Sequence, residues 1–328
     1  MAGVSEKPFR ALARQFGAGA APTELVSCKG LLYGQARTLS YLDHDPQVEA
    51  PFWVQLFGGD EHSMVEGGLR AVELGAKILD INMGCPVRKV TRHGAGSALL
   101  CDAPRAAAIV RALARATGVP VTVKIRAGWD ADSLTFVDMA HRLEDAGCAA
   151  LAMHARTRAQ GYSGRAHWPW IAELVARTSL PVIGNGDAFD AAAARRLQAE
   201  TGCAAVMVGR GALGDPWIFQ RLAEGGDRRP TARERHQLVQ QHLDAHLAFV
   251  GDELRAIKRF RQHLMWYARG LKNAVAFRRD VVELEDLSAL RGRITDFFAG
   301  AEAEALPSAA NDDAAESSPE FDVGNALG

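Results

Sequence analysis

The chain has 328 residues, of which 48% are hydrophobic and 23% are charged, so it can bury a large core. No apolar run approaches the roughly 20 residues that span a bilayer, which excludes the membrane-spanning class. No signal-peptide pattern opens the chain, so we expect a cytoplasmic protein without a membrane partner. Five scattered cysteines form no CxxC pair and the histidines share no ligand spacing, so neither a disulfide framework nor a metal site is expected.

The charge is divided unevenly along the chain. The formal net charge is −1, but the segment from residue 299 onward contains seven acidic residues and no Lys or Arg, which leaves +6 for residues 1–298. That segment is poor in apolar residues, so we expect 299–328 to be an acidic, disordered tail. The basic remainder is compatible with a polyanionic partner, although many enzymes of this charge bind none.

Seven short apolar or β-branched runs recur along the first two thirds of the chain, each followed by an Ala-rich, helix-like stretch. The runs cover 23–27, 52–58, 79–84, 121–126, 151–156, 181–186 and 205–210. This alternation predicts a parallel sheet covered by helices. Seven units approach the size of a (β/α)₈ TIM barrel, which has about 250 residues. Periodicity alone also allows a doubly wound sheet.

Polar residues at the ends of the predicted strands favour the barrel. They are Gln55, Asn82, Cys85, Lys124, Arg126, His154, Arg156, Asn185, Asp187 and Arg210. In a barrel the carboxyl ends of all strands meet at one mouth, where active sites are built. No strand precedes the first loop-like residues, so the barrel is expected to lack its first strand, and we expect the true reading frame to begin upstream of Met1.

After Pro230 the pattern becomes purely helical. Thr231 followed by Glu234 is a capping-box signature. We therefore predict a barrel domain at 1–228, a small all-helical domain at 229–298 and the tail at 299–328. Within the helical part, 255–279 carries eight Lys or Arg residues and no acid, which suits either a solvated face or a surface for RNA phosphates.

Two motifs in the barrel suggest a ligand. The GNGD (184–187) and GRGA (209–212) segments end late strands, where barrel loops commonly bind phosphate through backbone N–H groups. Lys124 suits either a Schiff-base lysine or a cation beside a cofactor. Arg126 projects to the same side of its strand and would lower the amine pKa, so both interpretations stay open.

An ordered series of motifs extends over most of the chain. It comprises MAGV and PFR (within 1–10), TELVS (23–27), VQLFG (54–58), DINMGCP (80–86), VKIRAGW (123–129), HARTR and GYSG (within 154–164), GNGD, GRGA and PWIF (216–219). Together they closely resemble the tRNA-dihydrouridine synthases, and most nearly the bacterial B type. The resemblance runs from Met1 to about Phe298. It implies an FMN-binding barrel with a helical tRNA-binding domain, which reduces uridines at the expense of NADPH.

The resemblance also implies a role for individual residues. Cys85 matches the catalytic acid. The cofactor-binding positions are Met1, Ala2, Gln55, Lys124, His154, Asn185, Gly186, Asp187, Gly209 and Arg210. The substrate-binding positions are Asn82 and Arg126 at the mouth and Arg259 and Arg261 in the helical domain. The family has a proline before the matching methionine, which is absent here.

The chemistry suits a cysteine at this place. Saturating the C5=C6 bond of uracil needs a hydride at C6, which reduced flavin N5 can supply, and a proton at C5. A cysteine with a pKa of about 8.5 is mostly protonated near pH 7 and can donate that proton. The alternative for Cys85 is a small buried hydrophobe. A uridine stacked in tRNA must also be extruded to reach a barrel mouth.

Two rival functions stay open. One is an FMN barrel that acts on a free pyrimidine, against which the basic helical domain argues. The other is a non-catalytic RNA-binding barrel, which a true start at Met1 would favour because the flavin bed would be damaged. If the family resemblance gives the function, we expect a monomer that binds tRNA and NAD(P)H and binds no metal.

Overall fold

The computed structural model describes Met1 and residues 3–302. Among these residues, seven strands form a single sheet in which each strand pairs in parallel with the next one along the chain. The strands are β1 (Val26–Ser27), β2 (Trp53–Phe57), β3 (Ile78–Met83), β4 (Val121–Arg126), β5 (Ala150–His154), β6 (Val182–Asn185) and β7 (Ala205–Met207). All seven predicted strands are confirmed.

The strand order decides between the two predicted architectures. A doubly wound sheet reverses its order at a switch point, whereas here the order runs from β1 to β7 without reversal. Right-handed crossovers therefore place all connecting helices on one side of the sheet, as in a barrel. Within the described part of the chain no strand precedes β1, so β1 and β7 are the sheet edges.

Helices connect the strands and follow them to the end of the described chain. In the first part they are α1 (Lys7–Gln15), α2 (Cys28–Leu32), α3 (Ala36–Ser40), α4 (Glu61–Glu73), α5 (Arg88–Thr91), α6 (Ala103–Thr117), α7 (Phe136–Asp145), α8 (Pro169–Arg177) and α9 (Ala191–Thr201). The later helices are α10 (Trp217–Glu224), α11 (Ala232–Val250), α12 (Glu253–Tyr267), α13 (Ala274–Glu283) and α14 (Leu287–Glu302). Two short 3₁₀ helices occupy Gly96–Cys101 and Arg210–Ala212.

Local sequence signals end the barrel helices and return the chain to the sheet. The Asp102 side chain caps α6 by accepting the Arg105 N–H, and Gly118 ends the helix in the left-handed conformation at φ 65°. Between the helices and the sheet, Leu79 and Ile81 of β3 and Leu113 of α6 are fully buried. Burying each such side chain contributes about 1.5–3 kcal/mol relative to leaving it exposed. This buried packing between helices and sheet holds the carboxyl ends of the strands in place.

The described chain divides into two compact units, Met1–Gly211 and the helices from Ala212 onward. The predicted capping box is present, since Thr231 accepts the Glu234 N–H and the Glu234 carboxylate accepts the Thr231 N–H. Helix α14 continues past residue 298 to Glu302, and residues 303–328 of the predicted tail lie outside the described residues. The functional limits at 228 and 298 stay predictions.

Candidate active site

Polar side chains of neighbouring strands meet at the carboxyl end of the sheet. Asn82 of β3 lies opposite Lys124 of β4, and Arg126 lies opposite His154 of β5. His154 in turn lies opposite Asn185 of β6. Residues two apart on a strand share a side of the sheet, so these side chains form successive layers at the predicted mouth.

A chain of hydrogen bonds connects β2, β3 and the turn that follows β3. Asp80 accepts hydrogen bonds of 2.7 Å from Gln55 Nε2 and 2.7 Å from Thr122 Oγ1. Gln55 Oε1 accepts a hydrogen bond of 3.1 Å from Asn82 Nδ2. Asn82 Oδ1 then accepts the backbone N–H of Cys85 at 2.8 Å, and that of Gly84 at 3.2 Å. Asn82 thus closes the turn that carries the cysteine.

Cys85 is 8% exposed and packs in a small apolar cluster that includes Leu25 and Val90. Burial raises the pKa of this thiol above its ordinary value, and a hydrogen bond from the Val87 N–H opposes the rise. The positive charges of Arg126 and Lys124 also oppose it. The net effect keeps Cys85 protonated at neutral pH, which a proton donor requires.

Arg126 holds two loops at the mouth. Its Nε donates to the Gly84 carbonyl at 2.9 Å, and its Nη1 donates to the carbonyls of Thr157 at 2.9 Å and Gly161 at 2.7 Å. The side chain is 3% exposed. In this geometry Arg126 positions the Cys85 turn, and its predicted contact with substrate stays a prediction.

Burial and nearby positive charge lower the pKa values of both Lys124 and His154. Burial, together with the nearby Arg126, lowers the pKa of Lys124 to about 8, and Asp80 opposes both effects. Burial and the surrounding cations lower the pKa of His154 far below its ordinary value, so its imidazole is neutral. Arg156 Nη1 lies 3.3 Å from His154 Nε2, which therefore accepts, and the ring proton is assigned to Nδ1.

The loops after β6 and β7 have the features of a phosphate cradle. The backbone N–H groups of Gly186, Asp187 and Gly209 donate to no acceptor among the described residues. Gly186 has φ 130°, where a Cβ would lie 2.6 Å from that of Ala166. At Gly209 the nearest described heavy atom to an added Cβ is Met1 Sδ, at 4.0 Å. Open space and unused N–H donors suit an anion.

Asp187 is the anchor of these loops. Its Oδ2 accepts from Arg156 Nη2 at 2.8 Å and from the Ala166 N–H at 2.7 Å. Its backbone adopts the left-handed conformation at φ 56°, which is uncommon for a non-glycine residue. The carboxylate therefore has a structural task, and the predicted contribution of Asp187 to a phosphate site falls to its N–H group.

Arg210 lies between two exposed aromatic rings. Its guanidinium carbon is 4.9 Å from the ring centroid of Tyr162 and 4.9 Å from that of Phe189, which are 52% and 50% exposed. It also approaches Asp187 Oδ1 at 3.6 Å. The arrangement keeps the guanidinium extended at the rim.

The remaining predicted residues are placed as follows. The Met1 carbonyl accepts the N–H groups of Val4 and Ser5, whereas Ala2 lies outside the described residues. Asn185 Nδ2 donates to the Met207 carbonyl at 2.8 Å, so this amide ties β6 to β7.

The basic segment 255–279 has mixed uses. Arg259 is exposed, whereas Arg261 donates to the Leu284 carbonyl at 2.9 Å and so supports the end of α13. Lys258 pairs with Glu285 at 2.7 Å. Tyr267, which interleaves with the cations in sequence, is 1% exposed and belongs to the core.

Metal sites and membrane spans are absent from the described residues. No group of three or more His, Cys, Asp or Glu in that part of the chain could hold a metal ion. None of its helices is long and apolar enough to cross a membrane.

Sequence reasoning missed three residues of this site. Asp80 and Thr122 were predicted only as strand residues, and Arg156 was noted at a strand end without a role. Their positions two or four residues from predicted site residues on the same strand face were the available signal. The pairing that gives them a function depends on the strand register.

Comparison with known proteins gives the family. The model of the family described as "Dihydrouridine synthase (Dus)" matches residues 1–301. The tRNA-dihydrouridine synthase B of Pseudomonas aeruginosa is 41% identical over 91% of each chain. That of Vibrio cholerae is 40% identical over 89% of this chain and 93% of its own. The chain therefore belongs to the dihydrouridine synthase family.

Solved structures support the fold. A histamine dehydrogenase from Rhizobium sp. 4-9 matches with a TM-score of 0.52 at 13% identity, over 92% of this chain and 60% of its own. A 2-naphthoyl-CoA reductase matches with a TM-score of 0.53 at 10% identity, over 67% and 47%. At such identities only the fold is shared. Membership of the family makes this chain an enzyme, a flavin-dependent oxidoreductase.

Proposed function

We propose that this protein reduces specific uridines of tRNA to 5,6-dihydrouridine, with FMN as its flavin and NADPH as the electron donor. The observation that carries the proposal is the buried Cys85 at the mouth of the barrel, on a turn that Asn82 and Arg126 hold by hydrogen bonds to the Cys85 N–H and the Gly84 carbonyl. The relatives named tRNA-dihydrouridine synthase B support the choice of substrate.

The residues at the mouth fit FMN. The unused N–H groups of Gly186, Asp187 and Gly209 suit the ribityl phosphate, and Arg210 adds a cation at the same rim. Gln55 and Lys124 would face the pyrimidine edge of the ring system. The lowered amine pKa would equally suit a Schiff-base lysine, but the family match favours the flavin.

When bound and reduced, FMN would supply the hydride for C6 of the uracil. Cys85 then gives its proton to C5, so that one hydride and one proton saturate the C5=C6 bond and leave a thiolate. Lys124 and Arg126 stabilise this thiolate, because their charges already favour the ionised form. The thiolate would regain a proton from solvent, and NADPH is the donor that we propose for the two electrons consumed.

We expect tRNA to bind exposed cations of the barrel unit and of the helical unit. Immediately after the Cys85 turn, α5 exposes Arg88 and Lys89, and Arg92 follows it, also exposed. These side chains suit the phosphates that flank an extruded uridine. Arg259 provides an exposed cation in the helical unit. A monomer in the cytoplasm, where tRNA is found, stays our expectation.

The test is a reconstituted reaction. Purified protein with FMN, NADPH and unmodified tRNA should add the mass of two hydrogens to defined uridines, as mapped by mass spectrometry of nuclease fragments. A protein that stays colourless with added FMN yet binds tRNA would support the non-catalytic alternative. Reduction of a free pyrimidine but not of tRNA would support the other rival.

A further inference from the structure

The hydrogen-bonded chain from Asp80 to the Cys85 turn has only one consistent direction. Burial raises the pKa of Asp80, and the hydrogen bonds from Thr122 and Gln55 together with the charge of Lys124 oppose that rise and favour the carboxylate. A carboxylate can only accept hydrogen bonds, so the Gln55 amide must turn its nitrogen toward Asp80, at 2.7 Å. The oxygen of Gln55 then faces Asn82, whose nitrogen donates to it at 3.1 Å. The oxygen of Asn82 is thereby left to accept the Cys85 N–H.

Reversing any amide in this chain would put like atoms together. A flipped Gln55 would place its oxygen against the carboxylate and its nitrogen against that of Asn82. A flipped Asn82 would place its nitrogen against the N–H groups of Gly84 and Cys85. Because all these groups are buried, each mismatch would leave an unsatisfied polar atom, which is costly.

We propose that Asp80 is a positioning residue, whose acceptor-only side chain fixes the orientation of the Gln55 and Asn82 amides and through them the Gly84–Cys85 turn. Its carboxylate is 3% exposed inside the barrel, where an apolar side chain would be cheaper to bury. The same orientation sets which atoms of Gln55 remain available to the flavin. This last consequence rests on the proposed function, whereas the effect on the Cys85 turn does not.

Two substitutions separate orientation from packing. Asp80→Asn keeps an acceptor for Gln55, because the Thr122 hydroxyl can turn to accept from the new amide nitrogen. Asp80→Leu has a similar volume but no acceptor, so the orientation of the Gln55 amide is no longer fixed. Thr122→Val is the matched control, because it removes a partner of Asp80 and leaves the direction of the chain unchanged.

The main readout is the alkylation rate of Cys85 by iodoacetamide in flavin-free protein, measured by peptide mass mapping in a Cys101→Ala background. Cys101 is exposed and would otherwise dominate the signal. We expect Asp80→Leu to speed alkylation about 10-fold or more, since a buried polar network is broken. Asp80→Asn and Thr122→Val should stay within about 3-fold of the parent. FMN affinity should follow the same order.

Equal Cys85 alkylation in Asp80→Leu and the parent would overturn the proposal, and so would an Asp80→Asn variant as reactive as Asp80→Leu. If Asp80→Leu fails to fold, Gln55→Met breaks the chain at its middle and should expose Cys85 to the same degree. Unchanged alkylation in a folded Gln55→Met protein would also overturn it. None of these readouts requires tRNA reduction, so failure here differs from failure of the proposed function.

Discussion

Arg126 donates from Nε to the carbonyl oxygen of Gly84 at 2.9 Å, so a side chain of β4 holds the turn that carries Cys85 after β3. The same guanidinium donates to the carbonyls of Thr157 and Gly161 in the loop after β5. One buried cation therefore ties together the loops that follow β3 and β5.

Arg126→Lys should destabilise the flavin-free protein by about 1–3 kcal/mol, because an ammonium cannot reproduce the planar set of donors. The measurement is the free energy of unfolding in urea. Arg142→Lys is the control, since Arg142 forms an exposed pair with Asp138 and its replacement should change that free energy by less than about 0.5 kcal/mol. Equal stability of the two variants would contradict the positioning role.

Cys85→Ala should accept electrons from NADPH at the normal rate but form dihydrouridine at least about 100-fold more slowly, since the acid is lost. Cys101→Ala should behave as the parent. Because burial raises the pKa of Cys85, single-turnover product formation should persist through the pH range in which a free thiol ionises and fall only above it. A fall centred near pH 7, or normal product from Cys85→Ala, would exclude this role.

Lys124 should govern the other half-reaction. Its pKa of about 8 means that the ammonium is charged below that pH and neutral above it. The rate of flavin reduction by NADPH should therefore fall as pH rises through the pKa of Lys124. Electron density on the flavin will raise this pKa. Stopped-flow absorbance should show that Lys124→Met is slow and independent of pH in this range. Lys29→Met, at an exposed pair with Asp60, should keep the parental profile.

The two loop glycines should respond differently to alanine. Gly209→Ala should leave the stability of flavin-free protein unchanged, because the new methyl group enters open space, but it should weaken FMN binding. Gly186→Ala should lower both the stability of the flavin-free protein and its affinity for FMN, since φ 130° and the 2.6 Å approach to Ala166 would strain an alanine there. Calorimetry and flavin titration measure the two quantities. Unchanged FMN affinity in Gly209→Ala would remove Gly209 from the cradle.

The cations after Cys85 should act through RNA phosphates. Arg88→Gln with Arg92→Gln should raise the KM for tRNA and leave kcat nearly unchanged. The salt dependence of kcat/KM should flatten, by about 0.7 in logarithmic slope for each phosphate that is no longer neutralised. Arg111→Gln with Arg115→Gln, at exposed positions of α6, is the matched control. Identical salt slopes for the two double variants would count against binding of RNA by α5.

Arg259 and Arg261 should separate in the same binding assay. Both Arg259→Gln and Arg261→Gln should weaken tRNA binding, and Arg261→Gln should also remove the donor to the Leu284 carbonyl and so destabilise the helical unit. Flavin content should be normal in both. Equal tRNA affinity of Arg259→Gln and the parent at moderate salt would count against the predicted basic surface.

Much of this architecture follows from local sequence signals. The continuous apolar runs predicted all seven strands, and the Thr231–Glu234 pair predicted the start of α11, because both depend on neighbours within a few residues. Periodicity alone does not specify which strands pair, but the polar strand ends and the family resemblance predicted a barrel, and the order from β1 to β7 confirms it.

The residues of the candidate site divide in the same way, into those that the sequence predicts and those that depend on the fold. The motif series predicted Cys85, Gln55, Asn82 and Lys124 as site residues; the structure joins Gln55, Asn82 and Cys85 by hydrogen bonds and pairs Asn82 with Lys124, and their roles stay predictions. The parts played by Asp80 and Arg156 could not be predicted, because each depends on partners brought close by the fold. Arg126 and Asp187 make structural hydrogen bonds that a motif comparison does not show.

The one-way chain of amides between Asp80 and Cys85 limits how this barrel can change over generations. A replacement of Gln55 or Asn82 that puts a donor in place of an acceptor would force the neighbouring side chains to rotate. No other orientation of those side chains satisfies their hydrogen bonds. We therefore expect these positions to change together or not at all, and substitutions to accumulate in the outer helices.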